Sequence, residues 1–142
     1  MDQEELALID LINRERARRG ISPLRPCRSI ARAAQQHSAD QRDRNYFSHI
    51  GPHGSKPRDR MCRAGFALAC TTRVWLGENI HVGTFSTSAA APFDGWMHSD
   101  GHRWAMLHPD FHVIGVGHAC GGGRYRNYWT AEFAGEGDQS CR

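Results

Sequence analysis

The chain has 142 residues, which fits one compact domain, predicted over residues 1–142, and leaves no room for a second. Its formal net charge of +3 comes from 18 Lys and Arg against 15 Asp and Glu, spread along the chain, so nucleic-acid binding is not indicated. No apolar run approaches the length of a membrane span, and no transmembrane segment is predicted.

The N-terminal segment is predicted to form the first helix. Leu8, Leu11 and Ile12 repeat at helical spacing, and Gly20 ends the pattern. Basic residues cluster on this helix beside Glu15, and we interpret them as a solvated face: Arg14, Arg16, Arg18 and Arg19.

Two further helices follow. The second runs to about Asn45 and leads into a loop with the sequence Tyr-Phe-Ser-His. Its packed face is formed by Ile30, Ala33, Ala34, His37 and Gln41. A short third helix begins with Ser55 as cap and Pro57 in the first turn, and it ends at Gly65.

The second half of the chain contains the clearest strand patterns. One strand begins at residues 77–80, and residues 113–119 and 128–133 form a hairpin around a glycine turn at 121–123. Between them, a fourth helix capped by a serine or threonine of 86–88 carries Phe93, Trp96 and Met97. Helices first and strands last, with no repeating βαβ unit, predict an α+β fold with an antiparallel sheet packed by helices.

The five cysteines favour disulfides over a metal–thiolate centre, because none of them forms a CxxC pair. Cys62 and Cys70 flank the short segment around Gly65 and are predicted to pair. The odd count leaves one thiol free or intermolecular, and the other pairings stay open.

The N-terminal residues 1–5 lack the basic and apolar regions of a signal peptide, so a secreted protein would be present here in its mature form. Disulfides favour secretion, while a cytosolic protein with reduced thiols is the alternative.

Nine histidines are many for this length, and most are expected to be ordinary surface or core imidazoles. His37 is predicted to be a hydrogen-bonded core residue. His98 and His102 are four residues apart, but Gly101 argues against a continuous helix between them and no HExxH motif is present. Five others have no partner at a diagnostic spacing: His53, His81, His108, His112 and His118.

Three residues differ because each lies at the end of an element within a distinctive local sequence. His49 ends Tyr-Phe-Ser-His, Glu78 lies in Gly-Glu-Asn-Ile, and His102 lies in Ser-Asp-Gly-His-Arg. With His-Pro-Asp-Phe at 108–111 and Tyr-Trp-Thr at 128–130, these segments resemble a bacterial-type domain of the CAP superfamily, the cysteine-rich secretory, antigen five and pathogenesis-related proteins. The resemblance extends from about Leu8 to Phe133.

The resemblance implies a three-layer α-β-α sandwich with a central antiparallel sheet and a cleft lined by histidines and acids. In many members of the superfamily this cleft holds a divalent metal, which makes His49, His102 and Glu78 the candidate ligands here. Many eukaryotic members have a second Glu in the helix before Gly-His, where this chain has Ser99. Asp100 could replace it only if its loop turned inward.

Two imidazoles and one carboxylate can hold Zn²⁺ or another divalent cation, but each missing anionic ligand lowers the affinity. The same set with an open position is typical of hydrolytic zinc sites. A serine nucleophile is not expected, because neighbouring residues of an extended chain point in opposite directions and Ser48 should not reach His49. Ser48 and Ser99 are predicted to have cap or turn roles.

We therefore predict a secreted CAP-domain binding module that is not an enzyme, with a metal-binding cleft. A zinc-dependent hydrolase or peptidase using the same residues is one alternative, and a lipid or sterol binder is another. Trp96 and Trp129 are expected in the core, whereas Trp104 could line a ligand groove. The partner, protein or lipid, is not determined by the sequence.

Overall fold

The computed structural model describes residues 1–71 and 73–142. Its elements in chain order are α1 (Gln3–Arg18), β1 (Arg25–Pro26), α2 (Arg28–Arg44), α3 (Pro57–Arg63), a 3₁₀ helix (Ala67–Cys70), β2 (Leu76–Gly83), α4 (Ala90–Met97), α5 (Asp100–Leu107), β3 (Val113–Gly122) and β4 (Arg126–Ala134). The helices and strands predicted from the sequence are all present.

The four strands form one sheet in the order β1-β3-β4-β2. The long strands are antiparallel, since β4 pairs with both β3 and β2, while the two-residue β1 runs parallel to β3. The predicted α+β class with a central antiparallel sheet is confirmed, and the short parallel edge strand is an addition to it.

Helices cover both faces of this sheet. On one face α2 packs against β3 and β4, and Ser38 of α2 is hydrogen-bonded to Thr130. Successive side chains of a strand alternate, so Trp129 points to the opposite face, where it packs in a core formed with α1, α4 and α5. Trp96 and Trp129 are 1% and 0% exposed, which confirms their core placement. The result is a three-layer sandwich.

Glycines in β3 allow α2 to lie almost in contact with the sheet backbone. A Cβ atom at Gly115 would lie 2.1 Å from the backbone nitrogen of Ala31, and one at Gly117 would lie 2.2 Å from that of Gln35. Only residues without a side chain can occupy these positions. This close contact fixes α2, and therefore the loop that follows it, relative to β4.

Two disulfides are present. Cys62–Cys70 confirms the predicted pair, and Cys27–Cys141 joins the start of α2 to the C-terminus. Cys120 is an exposed free thiol.

Three features differ from the sequence-based expectations. The N-cap position of α3 is occupied by Lys56 and not by Ser55. The helix α5 was not predicted, because Gly101 lies within its first turn. The arginines of α1 are also not all solvated, since Arg16 is 0% exposed and donates hydrogen bonds to four backbone oxygens, those of Ser22, Met106, His108 and Phe111. In the described part of the chain, no helix is both long enough and apolar enough to span a bilayer.

Candidate metal centre

The loop that carries His49 is held by the end of α2. Asn45 adopts a left-handed conformation with φ of 54°, which turns the chain out of the helix. His37 donates from Nε2 to the carbonyl oxygen of Ser48 at 2.9 Å, and the backbone N–H of Ser48 donates to Gln41. His37 is therefore the predicted hydrogen-bonded core residue, with burial as the main cause of its lowered pKa.

The carboxylate of Glu78 lies at the centre of the site. It projects from β2 toward the face covered by α2 and its side chain is 2% exposed. Oε1 lies 2.6 Å from Nδ1 of His49, whose side chain is half exposed, and Oε2 accepts from Nη2 of Arg60 at 2.8 Å. Burial alone would raise the pKa of Glu78, but hydrogen bonds with Glu132 and His49 and the charges of His37 and Arg60 hold it below its usual range.

Arg60 is a site residue that the sequence analysis did not single out. Its Nη2 also donates to the carbonyl oxygen of His49 at 2.8 Å, and its Nη1 donates to that of Ser55 at 2.7 Å. It therefore fixes both the Glu78 carboxylate and the His49 loop. Its position in α3, three residues after Pro57, carried no pattern that would distinguish it from a surface arginine.

Glu132 is the second acid of the site and was also missed. It lies opposite Glu78 in the pairing of β2 with β4 and is 0% exposed. In the described residues no N–H or hydroxyl group donates to either of its oxygens, so the polar group that it faces is the Glu78 carboxyl. Burial, followed by the adjacent negative charge of Glu78, raises its pKa far above the usual value. Glu132 is therefore expected to be protonated and neutral beside the Glu78 carboxylate.

We expect the Glu132→Gln variant to become progressively more stable than the wild type as the pH rises. The folded protein keeps a proton on Glu132 that the unfolded chain releases above about pH 4.3, so the wild-type free energy of unfolding falls with pH, by at most about 1.4 kcal/mol per pH unit. The amide keeps a donor toward Glu78 and does not titrate. Urea unfolding of both proteins between weakly acidic and weakly alkaline pH measures this difference, and parallel curves would contradict it.

His102 forms the other wall of the cleft. It lies in the first turn of α5, with Nδ1 2.9 Å from Oγ of Ser99 and its carbonyl oxygen accepting from Asn79 at 2.9 Å. Its ring stacks on Trp96 with 6.4 Å between ring centroids. Burial, and then the positive charge that His49 can carry, lower the pKa of His102.

Both candidate histidines are held in the same way. In each, Nδ1 meets a side-chain oxygen, and the opposite nitrogen, Nε2, makes no hydrogen bond with the described residues. Both oxygens of Glu78 are already engaged by His49 and Arg60, which suits an orienting carboxylate better than a direct ligand. The donor set therefore fits a cation held by two imidazoles and completed by water or a ligand.

The candidate ligand atoms of the cleft are too far apart to form a closed coordination site. Among residues 1–71 and 73–142, the only three His, Cys, Asp or Glu side chains with ligand atoms all within 4.8 Å are Cys27, Cys141 and Asp138, and the two cysteines are joined in a disulfide. His49, Glu78 and His102 are therefore not drawn together around one point. Binding of one ion by both rings therefore requires a movement of the side chains, and the His49 side chain is half exposed.

The other candidates stay outside the cleft. The side chain of Asp100 is 97% exposed and pairs with Arg103, so it does not turn inward. Ser48 has the predicted turn role, since its hydroxyl accepts from the backbone N–H of Ile50. Ser99 occupies the cap position of α5, but its hydroxyl contacts His102 and makes no cap hydrogen bond.

Comparison with protein families agrees with this architecture. The model of the family described as "CAP: Cysteine-rich secretory protein family" matches residues 9–133. Two Bacillus subtilis proteins are similar to the chain, the uncharacterized protein YkwD at 34% identity over 132 residues and the uncharacterized membrane protein YlbC at 33% over 131 residues. The chain aligns with 47% and 34% of their lengths, so it spans half of these relatives or less.

Solved structures share the fold. An extracellular protein containing a SCP domain from Bacillus anthracis is 32% identical with a TM-score of 0.75, and the match covers 92% of this chain and 39% of that one. An outer surface protein of Borrelia burgdorferi has a TM-score of 0.77 at 15% identity, covering 94% and 95% of the two chains. The venom allergen-like protein 4 of Schistosoma mansoni has a TM-score of 0.61 at 13% identity, covering 100% and 94%.

Proposed function

We propose that this chain, which belongs to the CAP family of cysteine-rich secretory proteins, is an extracellular binding module whose His49 and His102 hold a divalent cation such as Zn²⁺. The observation that carries the proposal is the common arrangement of the two imidazoles. The Glu78 carboxylate accepts from Nδ1 of His49 and the Ser99 hydroxyl contacts Nδ1 of His102, so with the proton on Nδ1 each ring has Nε2 available as a ligand atom.

Each residue of the cleft has a separate part in this proposal. His49 and His102 supply the ligand nitrogens, and the lowered pKa of His102 keeps that ring neutral, as metal binding requires. Glu78 orients His49, and Arg60 fixes Glu78. When bound, the cation would supply a positive centre with open coordination positions for an oxygen ligand of the binding partner.

Two features support a location outside the cell. The disulfides Cys27–Cys141 and Cys62–Cys70 form and persist in oxidising compartments. In addition, the similar Bacillus anthracis structure is described as an extracellular protein, and the Borrelia burgdorferi protein with the same fold is described as an outer surface protein.

Calorimetric titration of the chelator-stripped protein with Zn²⁺ tests the metal site. We expect saturable binding in the micromolar range or tighter near neutral pH, and its loss in the His49→Ala/His102→Ala double variant. The matched control is the His53→Ala/His112→Ala variant, because both of these histidines are exposed and neither is part of the cleft. Its binding should equal that of the wild type.

The comparison is valid only if both variants keep the wild-type fold, which their circular dichroism and melting temperatures establish. Binding that survives in the His49→Ala/His102→Ala variant, or that is absent from the wild type, would refute the proposal. Loss of binding in the control as well would indicate unspecific coordination by surface histidines.

A further inference from the structure

A second concave site lies beside the histidine cleft, and Arg60 lines it. It is an open pocket of about 280 Å³ between α2 and the chain segment that runs from Pro52 to Arg63. Neither His49 nor His102 lines it. The pocket is therefore distinct from the cleft but adjoins it, because two of its lining residues, His37 and Arg60, lie 4.0 and 2.8 Å from the Glu78 carboxylate.

The pocket has an excess of positive charge. Three arginines line it, and the one carboxylate among its described lining residues is Asp40. Asp40 is already compensated, since Oδ1 pairs with Nε of Arg44 at 2.9 Å and Oδ2 accepts from the hydroxyl of Tyr46. Arg60 is compensated by Glu78 at 2.8 Å. Arg63 has no acidic partner in the described part of the chain, so no carboxylate neutralises its positive charge.

A neighbouring arginine adds to this excess. Arg32 of α2 donates from Nη1 to the carbonyl oxygen of Ala64 at 2.7 Å, directly after Arg63 in the chain. Like Arg63, Arg32 makes no ion pair with the residues described. Arg32 does not line the pocket, but it adds a second guanidinium group without an acidic partner among these residues beside the end of α3, and its charge contributes to the positive field there.

The pocket also presents spare hydrogen-bond donors. Only Nε of Arg44 is used by Asp40, which leaves its terminal nitrogens free, and the exposed Arg63 side chain has no hydrogen bond with the described chain. The side chains of Gln36 and His53 are further exposed groups that can donate from the walls. The planar guanidinium group of arginine can donate two parallel hydrogen bonds to two oxygens of a phosphate, sulfate or carboxylate group. Such charge-assisted hydrogen bonds are stronger than hydrogen bonds between neutral groups.

We propose that this pocket binds an oxyanion group, such as a phosphate, through Arg63 and Arg44. Arg60 forms a fixed wall because its terminal nitrogens are tied to Ser55, His49 and Glu78. The two exposed arginines contact the anion from different elements, Arg44 at the end of α2 and Arg63 at the end of α3. Binding at this pocket requires no metal in the histidine cleft.

An NMR titration of the chelator-treated protein with inorganic phosphate at constant ionic strength tests the proposal. We expect saturable shifts of backbone amides in residues 36–44 and 52–63. The Arg44→Gln/Arg63→Gln variant should raise the dissociation constant at least about tenfold, because it removes two charge-assisted contacts. The control is Arg14→Gln, which removes an arginine from the exposed face of α1, where its side chain is 74% exposed. It should bind phosphate as the wild type does.

The outcomes separate this inference from the metal site. Phosphate shifts that do not saturate, or equal affinity in the Arg44→Gln/Arg63→Gln variant and the wild type, would overturn it. Because chelator is present throughout, a failure of zinc binding leaves the result unchanged. Sedimentation with vesicles containing an anionic phospholipid identifies the source of the oxyanion. Arg63-dependent binding indicates a lipid headgroup, whereas phosphate binding without vesicle binding indicates a soluble ligand.

Discussion

Removal of the Cys27–Cys141 disulfide is expected to lower the free energy of unfolding by about 5 kcal/mol, because the bond closes a loop spanning 114 positions of sequence. This loss approaches the whole stability of a small domain. Cys27 is 0% exposed and pairs with Cys141 in a β-bridge. The Cys27→Ala/Cys141→Ala variant should therefore be largely unfolded at physiological temperature.

The second disulfide gives a matched control. Cys62 and Cys70 are separated by 8 positions, and the same loop-closure argument predicts a loss of about 2.5 kcal/mol for the Cys62→Ala/Cys70→Ala variant. Urea unfolding of both variants, in a Cys120→Ser background that removes the exposed thiol, measures the two losses. A short-loop variant as unstable as the long-loop variant would contradict the argument. The expected result would also mean that the fold depends on an oxidising compartment.

The helix α5 shows why local sequence reasoning can miss an element. Gly101 lowers helix propensity by about 1 kcal/mol relative to alanine. The helix forms because Ala105 and Met106 are buried in the core and because Arg103 ties it to the carbonyl oxygen of Met97. These contacts are tertiary, and the sequence pattern contains no sign of them. The two-residue β1 was missed for the same reason, since it exists only by pairing with β3.

The burial of Arg16 could have been predicted from its spacing in the first helix. It follows Leu8 and Ile12 at intervals of four, so it lies on the same helical stripe as two residues that are 0% exposed. Charge alone suggested a solvated face, whereas periodicity indicated burial. The backbone oxygens that compensate the guanidinium come from distant parts of the chain, such as Phe111, and could not be predicted.

The site itself was predictable only in part. The resemblance of local motifs selected His49, Glu78 and His102, and the structure brings His49 and Glu78 into contact. Glu132 lies within a strand buried on both faces, which is the one pattern that could have marked it. No sequence pattern indicated the role of Arg60, because its partners are determined by the packing of α3 against α2 and β2.

Substitution of Glu78 is expected to have the second large effect. Glu78→Ala should lower the free energy of unfolding by about 3–5 kcal/mol, because it leaves the Arg60 guanidinium without its counter-charge in a site that is 11% exposed. The loss should be largest above the normal titration range of glutamate, at about pH 5 and higher, since the lowered pKa of Glu78 makes its contribution fade at lower pH. Urea unfolding at two pH values measures both effects.

The Glu78→Gln variant separates the effect of Glu78 on fold stability from its effect on the orientation of His49. The amide keeps the size of the side chain and can still accept from Arg60 or His49, so more of the fold stability should remain. It cannot supply the negative charge that orients His49 Nδ1–H, and loss of such an outer carboxylate weakens metal binding by about 10- to 100-fold.

Calorimetric zinc titration of Glu78→Gln, beside Glu136→Gln as an exposed control, measures this orienting part. Unchanged zinc affinity in a folded Glu78→Gln variant would show that the carboxylate serves only to balance Arg60. A weaker affinity, together with an unaffected control, would show that one buried charge both holds the fold together at α3 and prepares His49 for its ligand.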